Sequence, residues 1–457
     1  MNAQLHYFET HVAIDSTPLA MMTHLARTGS HETYMVYERE DEWNYAGGVW
    51  SEIILTSSGI CGRLPDGSEV QYARTSDSLA QIDTFLNNLP IVKWNAYGWA
   101  AFELSYILSN IPYDDRHHPL LHLFVPRVEV RVKNQIARVQ GVTPEDLCEV
   151  LTLLENASAE TTVSPTPVDV RTDQSARYLR AVRDAVDEIN AGQLEKVILS
   201  RVIELEDEID LPLTYLTGRR ANHPARSFLV NVGRAQAAGF SPEIVVRVDR
   251  DGLVTSQPLA GTRAIATSPE QNDRLRAELL SDPKEIYEHA ISVKTGTDEL
   301  TDVCIDGTIE VPEFMTIRER GSVQHLASRV SGRLRGDRSS WDAFAAVFPA
   351  VTASGVPKRA AYECIQRHED RPRDLYSGSV LTLSSEGEMD AALVLRSVYQ
   401  RDGVAWLRAG AGIVGQSTPE REFEETCEKL ASVSQYVVTA TADVVDSERN
   451  TKAEVLA

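Results

Sequence analysis

Strand-like and helix-like patterns alternate irregularly along this 457-residue chain, and that irregularity is the feature that most constrains its fold. Apolar runs typical of buried strands occur in "EKVILSR", "EIVVRV", "AALVLRSVY" and "AWLRAGAGIV". The last two runs flank "RDG" at 401–403, which predicts a hairpin between antiparallel strands. Strands that do not each lead into a helix favour an α+β fold over a doubly wound parallel sheet.

The composition limits the partners and the compartment. A formal net charge of −22 argues against nucleic acid or an anionic membrane as the main partner. The first residues lack the pattern of a signal peptide, and no apolar run is long enough to span a bilayer. The five cysteines are scattered without a C-x-x-C pair, which is typical of free thiols rather than of disulfides or zinc ligands. We therefore expect a soluble cytoplasmic protein.

The clearest break in composition covers residues 155–176, "ENASAETTVSPTPVDVRTDQSA". This segment is rich in Ser, Thr, Pro and Ala and poor in large apolar residues, which indicates a loop or linker. The chain shows no internal repeat on either side of it.

A lysine begins one of the apolar runs. Lys196, Ile198 and Ser200 share one face of "EKVILSR", because side chains alternate along a strand. A lysine is seldom fully buried without a partner, so one interpretation places Lys196 at the strand edge with its ammonium in water. The other interpretation is a buried functional lysine, and this stretch alone leaves both open.

Two predicted helices have well-marked starts. In "SDPKEIYEHAISV", Asp282 is the expected N-cap, Pro283 suits the first helical position and Glu285 completes a capping-box pattern. In "STPEREFEETCEKL", Thr418 is the expected N-cap and a proline follows it.

Each of these helices carries two glutamates that are three residues apart. Glu285 with Glu288, and Glu422 with Glu425, therefore share a helix face. The pairs are either solvated acids favoured by the helix dipole or four carboxylates around one site. Four converging carboxylates repel one another unless a hard divalent cation neutralises them, and oxygen ligands favour Mg²⁺ over zinc.

Two further charges interrupt apolar runs. Arg396 lies within "AALVLRSVY" and is expected to share a strand face with Val394 and Val398. Such an arginine needs an anion, which is either a structural carboxylate or a ligand. Glu243 begins "EIVVRV", and a carboxyl against apolar neighbours tends to keep its proton, which suits a general acid.

Glycines mark two more places, "LAGTR" at 259–263 and "RAGAGIVG" at 408–415. Each predicts either a tight turn or a backbone approach to an anionic ligand, because glycine lets N–H groups come close to a bound group.

The order of these segments resembles the chorismate-utilising enzymes. The similarity covers residues 175–435, whereas the N-terminal portion matches mainly through "YGWAAFEL" at 97–104. Within that family the chain most resembles the salicylate synthases of siderophore pathways, through "SVQHLASRV" and "GQSTPEREFEETCEKL". The other segments that carry the resemblance are "FSPEIV", "PLAGTRA", "FPAVTASGVPK" and "DLYSGSV".

The resemblance implies a single large α+β domain, in which two packed antiparallel β-sheets are surrounded by helices as in anthranilate synthase component I. Residues 1–154 then form the N-terminal portion of an intertwined fold, and 155–176 form a surface connection. Residues 177–440 form the chorismate-binding catalytic portion, and 441–457 are expected to be a mobile C-terminal tail.

The resemblance also implies a Mg²⁺-dependent reaction on chorismate, a dianion. Lys196 would be the general base that activates water, and Glu243 the general acid that protonates the departing C4 hydroxyl. The lysine must be neutral to act, so burial and nearby cationic charge are expected around it. Glu288 and Glu425 would bind Mg²⁺ directly, with Glu285 and Glu422 acting through water. The remaining residues of the implied substrate pocket are Gly261, Thr262, His325, Tyr376, Arg396, Gly410, Ala411, Gly412 and Lys429.

Four functions are compatible with this resemblance. A salicylate synthase adds water to chorismate and then eliminates pyruvate from bound isochorismate, whereas an isochorismate synthase releases that intermediate. An ammonia-using enzyme such as anthranilate synthase would need an amidotransferase partner, and Lys196 counts against it because ammonia needs no base. A non-catalytic paralogue that binds chorismate is disfavoured by the intact acid, base and metal positions. We therefore expect salicylate synthesis with no obligatory amidotransferase partner.

Overall fold

The structure is a computed structural model that describes residues 4–113, 118–156, 161–171, 175–442 and 444–446. Its helices are α1 Pro18–Arg27, α2 Ser78–Asn87, α3 Leu104–Leu108, α4 Pro144–Glu155, α5 Ser175–Asn190, α6 Leu211–Ala221, α7 Pro269–Ser281, α8 Pro283–Thr301, α9 Ser340–Val347, α10 Lys358–His368 and α11 Pro419–Ser434. The first strands are β1 Phe8–Ala13, β2 Tyr34–Arg39, β3 Glu42–Thr56, β4 Gly59–Arg63, β5 Glu69–Ala73, β6 Asn95–Ala100, β7 Pro119–Lys133, β8 Ile136–Gly141 and β9 Thr161–Val163. The remaining strands are β10 Lys196–Leu205, β11 Arg226–Val232, β12 Ala235–Ser241, β13 Ile244–Val248, β14 Leu253–Ser256, β15 Leu259–Ala264, β16 Glu310–Arg320, β17 Val323–Arg333, β18 Gly355–Val356, β19 Ser379–Ser384, β20 Met389–Leu393, β21 Ser397–Arg401, β22 Val404–Ile413 and β23 Val444–Asp446.

Two long strands, β3 and β7, pair along their length and belong to two antiparallel sheets at once. The ends of β3 and β7 near β4 and β6 continue through β19, β20, β13 and β14 to β17, which β15 and β16 also join. Their other ends continue through β2, β11, β12, β21 and β22 to β10, and through β8 to β1. These connections interweave the N-terminal portion with the rest of the chain.

A buried apolar layer separates the two sheets. One cluster contains Tyr97 and Val380 from the first sheet with Phe228 and Tyr399 from the second. Other clusters pack helices onto the outer faces, with Phe344 of α9 on the first sheet and Tyr215 of α6 on the second. The expected architecture, a single α+β domain with two packed antiparallel sheets inside helices, is confirmed.

The predicted hairpin is also confirmed, since β21 and β22 pair from Arg401 and Val404 outward. The prediction of one continuous strand through "AALVLRSVY" was wrong. The run divides into β20 and β21, and Arg396 lies in the bend between them with a left-handed φ of 51°. A left-handed residue cannot continue the pleat, so Arg396 leaves the sheet instead of sharing a face with Val394 and Val398.

The two chain segments that were expected to be irregular meet at the surface. Residues 161–163 of the expected surface connection pair with β23, which lies within the expected tail. The amides of Thr166 and Val168 donate to the carbonyls of Val437 and Ser434 at 2.7 and 2.9 Å. Residues 447–457, the rest of the expected tail, lie outside the described residues. No helix among the described residues is long and apolar enough to cross a membrane.

Candidate active site

A cavity lies where β15 and β17 of the first sheet face β10 and β22 of the second, with α8 and α11 alongside. Eleven of the predicted site residues line this cavity: Glu243, Gly261, Thr262, Glu288, His325, Tyr376, Arg396, Gly410, Gly412, Glu425 and Lys429. The other four, Lys196, Glu285, Ala411 and Glu422, do not line its wall. Three of those four contact wall residues or share their helix, as described below.

Lys196 is the first residue of β10 and is completely buried. Its ammonium lies 3.0 Å from a carboxylate oxygen of Glu288 and donates a 3.0 Å hydrogen bond to the hydroxyl of Ser292. The interpretation of a lysine that reaches water at a strand edge is therefore wrong. The charged group in contact with its ammonium is a carboxylate, and the nearby cationic charge that a base would need stays a prediction. A functional role for Lys196 requires that Glu288 move, since a salt bridge needs the ammonium and a base needs the free amine.

Glu243 lies in the connection between β12 and β13 and is 3% exposed. Its carboxyl group accepts hydrogen bonds from the Thr352 hydroxyl at 2.5 Å and from the Leu259 amide at 3.3 Å. Burial raises the pKa of Glu243 to about 8, against the lowering effects of these bonds and of Lys196 and Lys429. Glu243 is therefore protonated at neutral pH and can donate a proton into the cavity.

The four predicted metal-binding glutamates come from the first two turns of α8 and α11. Asp282 caps α8 as predicted, through bonds from the amides of Lys284 and Glu285. The Glu285 carboxylate does not complete a capping box, because it instead accepts the Thr262 amide at 3.1 Å. Thr418 occupies the N-cap position of α11, but its side chain forms no capping hydrogen bond.

Each of the four carboxylates contacts at least one cationic side chain, and Glu285 also lies 3.7 Å from the Lys284 ammonium. The paired atoms are Glu285 with Arg263 at 2.8 Å, Glu288 with Lys196 at 3.0 Å, Glu422 with Lys284 at 3.0 Å and Glu425 with Lys429 at 2.8 Å. Four glutamates at most 7% exposed are therefore balanced in charge by four basic side chains. The prediction of solvated acids at exposed helix starts was wrong for both helices.

The pKa values of these acids follow their neighbours. Burial and the charge of Glu425 raise the pKa of Glu422 to about 7, despite the lowering effect of Lys284. Burial also acts to raise the pKa of Glu425, but Lys429 and Lys284 outweigh it and lower the pKa. Burial opposes the charge of Lys284, yet the carboxylates around it raise its pKa. Lys284 thus interacts electrostatically with all four glutamates.

The donor set fits a hard divalent cation. All four side chains offer carboxylate oxygens, and Oε2 of Glu422 is buried without a hydrogen-bond partner among the described residues. The glutamates are nevertheless held apart by their cations. Among the described residues, one group of three potential metal ligands has its ligand atoms within 4.8 Å of one another. It consists of Glu188, Cys364 and His368 on α5 and α10, and it does not include the four glutamates. Convergence of the four glutamates on one ion therefore requires that at least some of their salt bridges open.

Arg396 and His325 form a second charged part of the cavity wall. Arg396 is 8% exposed, donates to the Arg320 carbonyl at 2.6 Å and hydrogen-bonds Nε2 of His325. No carboxylate of the described residues lies within 4.0 Å of its guanidinium, which excludes the structural ion pair considered from the sequence. Burial, with the nearby charge of Arg320, lowers the pKa of Arg396 to about 9. This part of the wall therefore lacks a counter-anion.

His325 is held as a neutral ring. Burial, followed by the charges of Arg396 and Lys429, places its pKa well below the ordinary value. Because Nε2 accepts from Arg396, the ring proton is on Nδ1, which lies 3.2 Å from the Gly261 carbonyl and 3.1 Å from the Thr262 hydroxyl. His325 thereby links Arg396 to β15.

The glycines at 261, 410 and 412 lie within strands, so the prediction of tight turns was wrong for them, whereas Gly415 lies in a turn after β22. Gly261 has φ 81° and occupies a register shift between β15 and β17, which is a β-bulge. Gly410, Ala411 and Gly412 pair in register with β10. A Cβ atom at Gly412 would lie 2.1 Å from the nearest carboxylate oxygen of Glu288, so this glycine makes room for the acid.

A model of the family described as chorismate binding enzyme matches residues 31–435 of the chain. The chain belongs to the chorismate-binding enzymes. The resemblance read from the sequence is thus confirmed, and the match extends over most of the N-terminal portion.

Known members of this family show how far the similarity reaches. The chain is 42% identical over 417 residues to a salicylate synthase from Mycolicibacterium paratuberculosis, covering 89% of this chain and 90% of that protein. It is 39% identical over 272 residues to an anthranilate synthase component 1 from Methanothermobacter thermautotrophicus, covering 60% of this chain and 58% of that protein. The first similarity therefore covers a larger share of both proteins than the second.

Solved structures of the family support the fold. Anthranilate synthase component I from Streptococcus pneumoniae superposes with a TM-score of 0.72 at 25% identity, over 86% of this chain and 92% of that one. The menaquinone-specific isochorismate synthase from Escherichia coli gives a TM-score of 0.69 at 21% identity, over 95% of both chains.

Sequence reasoning missed several side chains of this chorismate-binding enzyme. Arg408 lines the cavity, and its guanidinium lies 5.2 Å from the centre of the Tyr376 ring and binds Glu369 at 2.6 Å. An arginine inside "AWLRAGAGIV" gives the same signal as Arg396 and could have been noticed. Lys284 lies in the sequence between the N-cap Asp282 and Glu285. A single cationic residue between acids was a second signal that could have marked it as a partner of the glutamates. Thr352 lies in one of the segments that carry the family resemblance, but only the fold brings it to Glu243.

Proposed function

We propose that this chain is a salicylate synthase that converts chorismate to salicylate and pyruvate through bound isochorismate, with Mg²⁺ as its cofactor. The observation that carries the proposal is the 42% identity to a salicylate synthase over 89% of the chain. The similarity to an anthranilate synthase component stops at 60% of the chain. The buried Lys196, which an ammonia-using enzyme would not need as a base, favours the same choice.

The first half of the reaction adds water at C2 and removes the C4 hydroxyl. Glu243 is the general acid, because burial keeps its proton at neutral pH and its carboxyl group lines the cavity. Lys196 is the general base, and it becomes available when Glu288 turns from its ammonium. The salt bridge therefore keeps the base inactive until the site is assembled.

Glu288 and Glu425 would hold Mg²⁺ directly, and Glu285 and Glu422 would support it through water. When bound, the ion would supply positive charge that neutralises the carboxylates and attracts the ring carboxylate of the substrate. The fit rests on a donor set made of buried oxygens and on the unpartnered oxygen of Glu422.

Arg396 and Tyr376 bind the enolpyruvyl carboxylate. Arg396 is a buried cation without a carboxylate partner. An anionic ligand can therefore form an ion pair with it without displacing a carboxylate side chain. His325, Gly261, Thr262, Lys429 and the backbone of 410–412 complete the pocket. The second half, pyruvate loss from isochorismate, depends on orientation in this pocket and needs no dedicated base.

The enzyme needs no amidotransferase subunit, because water and not ammonia is the nucleophile. We place it in the cytoplasm, where its five cysteines stay free as they are in the structure. The use of salicylate in siderophore biosynthesis is part of the same proposal.

The test is product analysis with purified protein, chorismate and Mg²⁺. We expect salicylate and pyruvate in equal amounts, separated by liquid chromatography. Accumulated isochorismate would identify an isochorismate synthase instead, and anthranilate formed on addition of ammonium would identify the ammonia-using class. A reaction without any product would leave only a binding role.

A further inference from the structure

The motif "YGWAAFEL" at 97–104 places a buried acid far from the catalytic helices in sequence. Glu103 follows β6, is 3% exposed and forms no ion pair within 4.0 Å among the described residues. A buried carboxylate without a counter-cation is costly unless hydrogen bonds to its charge replace the lost water. Burial and the charge of Asp374 raise the pKa of Glu103 to about 7, while the hydrogen bond from the Arg373 amide favours the charged form. Its partners therefore indicate what it does.

Those partners are two consecutive backbone amides in the loop that leads to Tyr376. The Arg373 amide donates to Oε1 of Glu103 at 2.6 Å, and the Asp374 amide donates to Oε2 at 3.1 Å. The neighbouring Phe102 amide returns a 2.8 Å hydrogen bond to the Asp374 carbonyl. The motif thus holds the loop 373–377 by three hydrogen bonds to the backbone of residues 373 and 374.

This loop has a conformation that needs external support. Asp374 has φ 52° and Ser377 has φ 61°, so two non-glycine residues in the left-handed region flank the segment that carries Tyr376. Such residues persist only where their surroundings hold them. Glu103 contacts the first of the two directly.

The same loop reaches two other parts of the cavity wall. The Arg373 guanidinium donates to the carbonyls of Ile198 at 2.7 Å and Ala353 at 2.8 Å, and both of these residues line the cavity. It also lies 5.6 Å from the centre of the Tyr376 ring. A shift of residue 373 would therefore disturb the wall at three places.

We infer that Glu103 is a positioning residue, whose carboxylate holds loop 373–377 and so sets the place of Tyr376 in the substrate pocket. The inference rests on the proposed function, because it takes Tyr376 as a contact of the substrate. It assigns a role to the N-terminal motif, which contributes no side chain to the cavity wall among the described residues.

The test compares Glu103→Gln, Tyr376→Phe and the double variant with a matched control, Glu129→Gln. Glu129 is an equally buried glutamate that binds Arg131 and the Tyr97 hydroxyl, contacts neither Arg373 nor Asp374 and does not line the cavity. The Glu103→Gln side chain would keep the shape of the glutamate but present an amide N–H to one of the two backbone donors. We expect Glu103→Gln to raise KM for chorismate about tenfold with a smaller change in kcat, and Tyr376→Phe to add little further in the double variant.

Hydrogen exchange of the amides of Arg373 and Asp374 gives a readout that does not depend on turnover. Both amides should exchange faster in Glu103→Gln and at the wild-type rate in Glu129→Gln. Unchanged exchange, additive effects in the double variant, or an equal KM change in Glu129→Gln would overturn the inference. A wild-type protein that makes no salicylate would instead refute the proposed function, and the exchange rates would still decide whether Glu103 holds the loop.

Discussion

Two parts of the cavity wall carry buried charges, and they differ in whether those charges are paired within the protein. In the part formed by α8 and α11, the four glutamates each contact a lysine or arginine, so the charges balance within the protein. In the other part, Arg396 is equally buried but contacts a carbonyl and the neutral His325. A cation must therefore compete with side chains in the first part, whereas an anion meets an uncontested partner in the second.

Glu425 and Glu243 repeat this contrast within one residue type. Both are buried, and burial acts to raise both pKa values. Lys429 lies 2.8 Å from Glu425 and helps to lower its pKa, whereas Glu243 has only neutral hydrogen-bond donors in contact. The nearest partner, and not burial, therefore separates a carboxylate with a lowered pKa from a carboxyl group with a raised pKa.

Of the predicted changes, removal of Mg²⁺ should have the largest effect on turnover. Chelation should abolish turnover and Mg²⁺ should restore it, because the carboxylate part of the wall needs a cation to bind a dianion. Glu288→Gln and Glu425→Gln should weaken Mg²⁺ and chorismate binding together, as measured by calorimetry. Full turnover in excess chelator, with metal removal verified, would contradict the magnesium proposal.

A matched control is Glu299→Gln on the same helix α8. Glu299 pairs with Lys358 at 2.7 Å and does not line the cavity. This variant should retain the wild-type affinity for Mg²⁺ even if its stability falls.

Lys196→Gln should divide the two halves of the reaction. Loss of a general base costs about 10²- to 10⁴-fold, so salicylate formation from chorismate should fall by that factor. Formation from supplied isochorismate should be largely retained, because pyruvate loss needs positioning and not a proton acceptor. Salicylate fluorescence with each substrate separately gives the measurement.

As a control, the Lys196→Gln protein must be shown to be folded and to bind chorismate. Wild-type rates from chorismate would remove Lys196 from the mechanism. Equal losses from both substrates would show that Lys196 matters to the whole site, and would contradict the proposed division of labour.

The reach of sequence reasoning differs between these two parts of the wall. Spacing on the helices predicted that Glu285 and Glu288 share a face, since i and i+3 residues always do. It could not predict the partners Arg263 and Lys196, which come from other strands and arrive only through the sheet topology. The two antiparallel sheets were predicted through the family resemblance, but their junction through β3 and β7 depends on long-range pairing that local patterns do not contain.

Arg396 shows the same limit in the other part. Its isolation in an apolar run predicted a special role, but the strand pattern predicted the wrong backbone. The bend at φ 51° has no local signature, because a left-handed arginine is held there by the surrounding sheet and not by its own preference.

Arg396→Lys should have a smaller effect, because it keeps the charge and loses the planar fork of donors. We expect a loss of about 1–3 kcal/mol in transition-state binding, which is about 5- to 150-fold in kcat/KM for chorismate. Arg226→Lys is the control, since Arg226 is buried against Asp390 outside the cavity. An unchanged kcat/KM in Arg396→Lys, or an equal loss in Arg226→Lys, would show that Arg396 does not bind the substrate.

The smallest effect concerns the pH dependence that Glu243 imposes. Its pKa is raised to about 8, so the protonated acid is present below that pH and is lost as the pH rises through it. The same raised pKa means that the stabilising contribution of the protonated group is lost in the same direction, towards higher pH. The rate of water addition should therefore fall about tenfold per pH unit above about 8, because that step needs the proton.

Salicylate formation from isochorismate should lack this decline, because that half-reaction does not use the acid. Comparison of the two pH profiles on one preparation separates Glu243 from any general alkaline unfolding, which would lower both rates together. A decline of the same size with both substrates would mean that the contrast between Glu243 and Glu425 concerns stability and not catalysis.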